Sequence, residues 1–255
     1  MRPVVVALAR RALLNALRRP QFLAPLVIFP TLFLAINVGG LGATRGLEGF
    51  PQVDGFLDYQ LASAILQSLL LGGVSSGIAV ALDIEGGFFD RLVASPTPRV
   101  AIVLGRVLAA GVIAVIQVVY FLVLGFVFGV SVQGGVLGVL CVLAIGIIAG
   151  TGFGAIGVLI ALRARSASTV QGIFPLVFVV LFISSAFFPI ELLSAPADVI
   201  AKYNPLSFIA DGMRQPIAFG NAALPVLEGL LAATAIAAAS IGLSILALRG
   251  RLREA

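Results

Sequence analysis

Long stretches without a single Asp, Glu, Lys or Arg are the feature that most constrains how this chain can fold. One of them, residues 107–162, is 56 residues long and carries a polar turn at 131–135. A helix crosses a bilayer with about 20 mostly apolar residues, so this stretch has room for two crossings. Four more stretches of 20 to 25 residues lie at 20–44, 59–82, 166–190 and 229–248. The sequence predicts an all-α polytopic membrane protein with six transmembrane helices, at 22–40, 59–82, 107–130, 136–161, 169–189 and 227–248.

The composition excludes several classes of protein. Of the 255 residues, 60% are hydrophobic and only 27 are charged (16 basic and 11 acidic). A soluble domain carries about a quarter charged residues, and a mean hydropathy of +1.17 excludes a soluble enzyme. Histidine is absent and Cys141 is the single cysteine. His-based acid–base catalysis, Cys/His metal sites and an intramolecular disulfide are therefore excluded as well.

The distribution of basic residues predicts the orientation in the membrane. With six crossings both termini lie on one side, and that side receives 13 of the 16 basic residues. The other side holds Arg45, Lys202 and Arg214. Because Lys and Arg stay on the cytoplasmic side, both termini are predicted to be cytoplasmic. The formal net charge of +5 is then a topology signal, and no nucleic-acid partner is expected.

Residues 1–19 form a basic segment ahead of the first span. The apolar stretch that follows holds 25 residues. It is longer than the roughly 7–15 residues of a secretory signal, so it is expected to remain as a span. The second half of this segment combines leucines with four arginines. This pattern is consistent with an interfacial helix on the inner leaflet, and equally with a basic segment that only orients the first span by the positive-inside rule.

Ionisable residues are missing from the interiors of the first five predicted spans, and Glu228 lies at the outer end of the sixth. Ion-driven carriers need such groups at membrane depth, so secondary transport is disfavoured. The polar residues within the spans are neutral. They either hydrogen-bond between helices or contact a polar part of a substrate; they are Gln67, Ser75, Ser76, Gln117, Thr151, Ser184, Ser185, Thr234 and Ser240.

Glycines recur at every fourth position along the fourth predicted span, with only Val142 interrupting the series. A stripe of small residues lets another helix approach closely, although glycine is also frequent in membrane helices generally. We predict close helix packing on this face, against a neighbour that the sequence does not specify. The stripe consists of Gly134, Gly138, Gly146, Gly150 and Gly154.

The loop at 83–100, between the second and third spans, holds three of the four cytoplasmic acids. Its middle, Phe88 to Ala94, is predicted to form about two helical turns with Phe88, Phe89, Leu92 and Val93 on one apolar face. The two glycines before it permit a sharp turn, and the two prolines after it stop the helix. An apolar face on a short helix needs either a groove in a partner protein or the inner leaflet.

The segment at 189–225, between the fifth and sixth spans, holds five of the 13 prolines and cannot be one helix. Asn204 is expected to cap a short helix with Pro205 at its first position. Within that helix Asp211 and Arg214 lie three residues apart and are predicted to form an exposed pair. Phe208 and its apolar neighbours allow the helix to dip back into the outer leaflet.

Two motifs in these segments resemble those of type-2 ABC exporter permeases, most closely the drug-resistance (daunorubicin-type) branch. The cytoplasmic motif reads D-x-E-G-G-F-F-D-R-L-x-A-S-P-x-x-R over 83–99 and is followed by I-V-L-G-R-V-L over 102–108. The outer motif reads N-P-L-S-F-I-A-D-G-M-R over 204–214. The resemblance covers essentially the whole chain, as a single permease domain over 1–255. It departs at Ile84, where the family often has a basic residue.

The resemblance implies a permease that forms a homodimer or heterodimer and binds two copies of an ABC ATP-binding subunit. ATP and Mg are expected on that subunit, and no cofactor on this chain. The only lysine, Lys202, has no glycine-rich loop before it, so a Walker motif is excluded. The residues implied to couple the loop to the ATPase are Asp83, Glu85, Gly86, Phe88, Phe89, Asp90, Arg91, Leu92, Ser95 and Pro96. An extracellular gate over the dimer axis is implied for Asn204, Pro205, Phe208, Asp211 and Arg214, unless this segment is a structural plug.

The function implied is export of a hydrophobic or amphipathic substrate, such as a drug, lipid or glycolipid, through the plasma membrane. A non-transporting membrane scaffold is the alternative, and a channel or secondary carrier is the less favoured one. A channel does not require an apolar cytoplasmic helix, and a scaffold does not require an outer segment interrupted by prolines.

Overall fold

The computed structural model describes residues 1–48, 50–95 and 97–251, and within those ranges every regular element is helical. Short 3₁₀ turns lie at Gly42–Gly46 and Ile190–Leu192, and a π-helical turn lies at Gln215–Phe219. The α-helices of the described part are α1 (Arg2–Leu17), α2 (Pro20–Leu41), α3 (Phe56–Glu85), α4 (Phe88–Ala94), α5 (Arg99–Val127), α6 (Gly135–Ala164), α7 (Ala167–Gly172), α8 (Phe174–Phe182), α9 (Ala197–Tyr203), α10 (Pro205–Arg214) and α11 (Ala223–Arg251).

Five helical stretches are long and apolar enough to cross a membrane. They hold 25 to 30 residues each, at Pro20–Thr44, Phe56–Glu85, Arg99–Val127, Gly135–Ala164 and Ala223–Gly250. At about 1.5 Å per residue, each exceeds the roughly 30 Å of the hydrocarbon core. The all-helical prediction is confirmed, and these five stretches coincide with five of the six predicted spans.

The predicted span at 169–189 is divided into shorter pieces. α7 ends at Gly172, and α8 begins at Phe174 with Pro175 in its first turn. Proline lacks the N–H that would continue the ladder of α7, which explains the break. α8 then ends at Phe182, and the Ser184 hydroxyl donates to the Leu181 carbonyl oxygen beyond its last turns. Counting apolar residues along the sequence does not detect either of these interruptions.

The glycine face of α6 packs against α5 of the same chain. An added Cβ would lie 2.6 Å from Val118 Cγ2 at Gly146 and 2.5 Å from Ala114 Cβ at Gly150. Gly154 faces α5 in the same way, whereas Gly138 contacts Val132 and Pro216 outside it. The small residues therefore bring α5 and α6 into close contact.

A second glycine contact joins α6 to α3. An added Cβ at Gly73 would lie 2.6 Å from the Phe153 carbonyl oxygen, and one at Gly77 would lie 2.8 Å from the Gly157 oxygen. Gly157 faces the backbone of Gly73 and Gly77 in return. α6 is thus held closely on two sides, and the pair in α3 is a small-residue motif that the sequence reading missed.

α1 lies against the first turns of α5. An added Cβ at Gly105 would lie 2.7 Å from Leu8 Cβ, and Ala9 and Ala12 are buried. A smaller cluster of buried apolar residues, which includes Phe89 and Val103, surrounds this end of the bundle, and a larger cluster fills its middle and opposite end. The two predicted functional segments lie at these opposite ends.

Candidate functional site

The loop at 83–100 forms the short helix that its sequence predicts. Gly87 has φ +67°, in the left-handed region that favours glycine, and it lets the chain turn from α3 into α4. α4 covers Phe88–Ala94, and the Ser95 hydroxyl donates to the Leu92 carbonyl oxygen at 2.7 Å where the helix ends. Pro96, which was assigned to the same site, lies outside the described residues.

The apolar face of α4 is turned toward this chain's own helices. Phe89 is 5% exposed and packs in the smaller apolar cluster with residues of α3 and α5. It is not available to a partner in this conformation, because the ends of α3 and α5 supply the nearest apolar surface. Asp83, Phe88, Leu92 and Ser95 are half-buried, and the exposed residues of the predicted set are Glu85, Gly86, Asp90 and Arg91.

A charged cluster ties this loop to α1 and α5. Asp83 forms ion pairs with Arg106 and, at 3.3 Å, with Nη1 of Arg11. The Arg11 guanidinium carbon lies 3.4 Å from the ring centroid of Phe88, within cation–π distance. Burial lowers the pKa of Arg11 from its ordinary value. Three helices and α4 therefore meet at Asp83.

Glu85 connects the end of α3 to the start of α7. Its Oε1 accepts a hydrogen bond of 2.8 Å from the backbone N–H of Ala167, the first residue of α7. A carboxylate at the start of a helix satisfies a free N–H group. The end of α3 is thus connected to both α4 and α7.

Asn204 joins two helices at the outer end of the bundle. Its Oδ1 accepts from the backbone N–H of Leu206 at 2.9 Å, which caps α10 as the sequence predicts. Its Nδ2 donates to the carbonyl oxygens of Val180 and Ile183, both at 2.9 Å. One side chain therefore satisfies the end of α8 and the start of α10, with Pro205 exposed beside it.

Arg214 is the centre of a buried polar cluster. It pairs with Asp211, as the spacing of the two residues predicts, and Ser185 donates to the other oxygen of Asp211 at 2.8 Å. Its Nη2 donates to the carbonyl oxygen of Ser185 at 3.0 Å and to that of Ala186. Arg214 thereby connects α10 to the turn that follows α8.

The expectation that this pair is exposed is wrong for its cationic member. Arg214 is 3% exposed, whereas the Asp211 side chain is 41% exposed. A buried guanidinium needs partners for its donors, and the backbone carbonyls of the turn supply them. Phe208 is half-buried, and its neighbours Ile209 and Met213 are fully buried in the core of this chain.

α10 crosses α11 at close range near this cluster, and the sequence does not predict this contact. An added Cβ at Gly212 would lie 2.8 Å from Gly229 Cα, and one at Gly229 would lie 2.9 Å from Gly212 Cα. α10 and α11 therefore touch backbone to backbone. Gly212 is the single glycine of α10, and Gly229 has no glycine four positions away, so no glycine repeat in the sequence marks the contact.

Both motifs lie within the part of the chain that matches a known protein family. The family model for the ABC-2 type transporter matches residues 3–217, a range that contains both the loop and the Arg214 cluster. The chain belongs to the ABC-2 type transporter family. It is a multi-pass membrane protein, and permeases of this family work with an ATP-binding subunit. They have no ATPase site of their own, because the partner hydrolyses ATP.

Relatives of this permease share about a quarter of its residues. The ycf38 protein of Porphyra purpurea, which is named as a transport permease, is 27% identical over 82% of this chain and 72% of its own length. The ycf38 protein of Pyropia yezoensis matches to the same extent. The daunorubicin resistance ABC transporter permease protein DrrB1 of Streptomyces coeruleorubidus is 26% identical over 80% of this chain and 71% of its own length.

Two cavities flank the divided helix of the permease. One of about 400 Å³ lies among α3, α6 and α8, and apolar residues line it: Leu70, Val74, Phe153, Ile156, Gly157, Ile160, Val170, Ile173, Leu176, Val177, Val180, Pro205, Leu206 and Ile236. The other, of about 420 Å³, lies among α2, α3 and the turn between α7 and α8. Val74 lines both. α8 is therefore packed less completely than the other helices around α3.

The neutral polar residues of the bundle differ in their hydrogen bonding. Gln117 of α5 donates to the Ser68 carbonyl oxygen at 2.7 Å, and Ser240 donates to the Gly152 oxygen at 3.0 Å. Gln67 is 1% exposed, and neither its amide oxygen nor its amide nitrogen has a partner among the described residues. It lies three and seven residues before Leu70 and Val74 and so shares their face of α3, but it lines neither cavity.

Proposed function

We propose that this permease is the membrane-spanning subunit of an exporter that moves a hydrophobic or amphipathic substrate out of the cell through the plasma membrane. Two copies of an ATP-binding subunit drive a permease dimer. Drugs, lipids and glycolipids are the substrate classes. The observation that carries the proposal is the apolar cavity of about 400 Å³ at α8. The name of DrrB1 adds drug resistance as a function of a relative.

The cavity has the chemistry that an apolar substrate requires. Ligand sites are typically about 300–1,000 Å³ and mostly apolar, with a few polar groups that orient the ligand. The side chains of Leu176 and Val180 are half exposed or more at its mouth, so a substrate dissolved in the bilayer can reach it from the side. Gln67, which has no partner among the described residues, is the polar group that we assign to the substrate. A buried amide without a hydrogen bond is costly, and a substrate's polar group relieves that cost.

A six-crossing arrangement with cytoplasmic termini supports export by this dimer. The fifth of these crossings consists of α7, α8 and the outer turn that Arg214 holds. The outer cluster of Asn204, Asp211 and Arg214 closes the extracellular side, where the segment after α8 meets α10. The cytoplasmic loop meets the ATPase through its exposed residues, Glu85, Asp90 and Arg91. Because Asp83 and Glu85 connect this loop to α5 and α7, movement of α4 is transmitted toward the cavity.

A single tryptophan tests the cavity, because the natural chain contains none. Val177 lines the cavity, and Val179 of the same helix is 51% exposed and does not line it. We expect daunorubicin to quench the fluorescence of Val177→Trp in a saturable manner and that of Val179→Trp only in proportion to its concentration in the membrane. In cells that also produce the cognate ATPase, Val177→Trp should lower daunorubicin efflux and Val179→Trp should not.

Competition identifies the substrate class. If an unlabelled phospholipid or glycolipid relieves the quenching at Val177→Trp and daunorubicin does not accumulate in response to loss of the permease, a lipid is the substrate. Equal and unsaturable quenching at both positions by every ligand would show that this cavity binds no substrate.

A further inference from the structure

The two faces of α1 have different surroundings. Leu8, Ala9 and Ala12 pack against α5. The opposite face exposes Val6, Arg10, Leu14 and Leu17, with apolar side chains 58%, 38% and 49% exposed at positions 6, 14 and 17. Arginines and leucines are therefore mixed on a surface that this chain does not cover.

A cavity of about 300 Å³ lies on this surface. Its lining consists of Ala7, Arg10, Arg11, Leu14, Asn15 and Arg18, so three guanidinium groups and one amide converge on it without a carboxylate in the lining. Residues 1–19 contain five arginines and no acid. Guanidinium groups match the oxygens of a phosphate by geometry as well as charge.

Within the part of the chain that the structure describes, the ion pairs of Asp83 leave an excess of positive charge near this cavity. Asp83 carries one negative charge and pairs with two guanidinium groups, those of Arg11 and Arg106. One positive charge is left in that cluster, and Arg10 and Arg18 are exposed beside it. The site therefore favours an anion.

The position of α1 decides which anion fits. α2 begins at Pro20, three residues after α1 ends at Leu17, so α1 adjoins the start of the first membrane-crossing stretch. In the proposed topology this is the cytoplasmic surface of the membrane. We propose that this cavity binds the phosphate of an anionic phospholipid of the inner leaflet, with Arg10, Arg11 and Arg18 as its ligands. The exposed Leu14 and Leu17 contact the acyl chains of the same leaflet, a role that a soluble phosphate cannot use.

Arg11 gives the bound lipid access to the coupling loop. The same guanidinium lines the cavity, pairs with Asp83 and stacks on Phe88 of α4. A phosphate at the cavity is a second acceptor for Arg11, so its binding shifts the contacts that position α4. This consequence, unlike the binding itself, rests on the proposed coupling function.

Binding of phosphatidylglycerol to the purified permease, followed by native mass spectrometry during lipid titration, tests the site. Arg10→Gln/Arg18→Gln removes two charges from the cavity. Arg2→Gln/Arg19→Gln removes two charges from the same segment outside the cavity lining and is the matched control. An arginine that contacts the lipid phosphate is expected to contribute about fivefold to its affinity, so the cavity variant should lose about 25-fold. The two control arginines do not contact the phosphate, so their loss should lower the affinity less than about fivefold.

Three outcomes overturn the inference. Equal losses in the two double variants would show diffuse charge attraction. Binding of phosphatidylcholine as tight as that of phosphatidylglycerol would show that charge is not read. Inorganic phosphate that displaces the lipid and depends on Arg10 and Arg18 would show a site for a soluble anion. If the double variant does not fold, Arg18→Gln alone carries the same test with an expected loss of about fivefold.

The coupled ATPase gives a separate readout. In nanodiscs that contain the permease and its cognate ATPase, adding phosphatidylglycerol should change the ATPase rate of the natural protein and leave that of Arg10→Gln/Arg18→Gln unchanged. Lipid binding without this response leaves the site intact and contradicts only the link to α4. Failure of lipid binding with transport intact contradicts the site and leaves the proposed function standing.

Discussion

The guanidinium carbon of Arg214 lies 3.9 Å from the ring centroid of Tyr59, and its Nε donates to the carbonyl oxygen of the same residue at 3.3 Å. Tyr59 therefore holds Arg214 through both its ring and its backbone. α3 and α10 are connected by this contact at the outer end of the bundle, in addition to the contacts that Arg214 makes with the turn after α8.

Replacement of this arginine should destabilise the permease strongly. Arg214→Gln leaves the carbonyl oxygen of Ser185 without this donor and Asp211 without its cation. The carbonyl oxygen of Ala186 keeps only the Ser63 hydroxyl as a donor. A buried polar group that loses its hydrogen-bond partner costs about 1–3 kcal/mol. Thermal unfolding in detergent should show the loss, and Lys202→Gln, at an exposed position of α9, should leave the unfolding temperature nearly unchanged.

Exchange of the two charges, Asp211→Arg with Arg214→Asp, distinguishes the pair from its surroundings. We expect no recovery of stability, because a carboxylate at position 214 would face the carbonyl oxygens of Ser185 and Ala186. A double variant as stable as the natural chain would mean that only the attraction between the two side chains counts.

The crossing of α10 and α11 should not tolerate a methyl group. Gly229→Ala places a Cβ 2.9 Å from Gly212 Cα, so the two helices must separate, at a cost of about 1–3 kcal/mol. Gly242→Ala in the same helix has no atom within 4 Å and should be neutral or slightly stabilising, since alanine favours helix. Urea or thermal unfolding of both variants measures the difference, and equal stabilities would contradict the close crossing.

The two phenylalanines of α4 should respond differently to truncation. Phe89→Ala removes a buried ring and should lower the free energy of unfolding by about 3–5 kcal/mol. Phe88→Ala removes a half-buried ring that contacts Arg11, and its effect should be clearly smaller. Comparable losses of stability, measured on the purified permease without its ATPase, would argue against the orientation of α4 in this structure.

Contact with the ATPase should depend on the exposed side of α4. Arg91→Glu reverses an exposed charge on this short helix and should lower co-purification of the cognate ATPase about tenfold, because like or unpaired charges at an interface weaken association. Arg163→Glu makes the same charge reversal at an exposed position near the end of α6 and serves as the control. Unchanged co-purification by Arg91→Glu would place the ATPase contact elsewhere.

Much of this architecture could be predicted from the sequence, because charge is so costly in the membrane that its absence marks each long helix. The short helix at Phe88–Ala94 was also predictable, since glycines precede it and prolines follow it. The direction of its apolar face was not, because periodicity shows that Phe89 lies on an apolar face without showing what that face meets.

The division of the fifth predicted span shows a similar limit. Pro175 and Ser184 are visible in the sequence, but a hydropathy count treats them as minor exceptions in an apolar run. The hydrogen bonds from Asn204 to Val180 and Ile183 end α8 from a distance of more than 20 residues along the chain. Only the folded structure brings that amide to those carbonyls.

The glycine contacts of α6 determine which parts of the helix bundle are rigid and which parts can deform. Gly157 contacts α3 and Gly150 contacts α5. The two helices that α4 connects therefore both pack tightly against α6. Closely packed interiors have low compressibility. In the proposed exporter, a force that the ATP-binding subunits apply at α4 would therefore move α3, α5 and α6 together. The deformation would concentrate at α8, which has cavities of about 400 and 420 Å³ on its flanks.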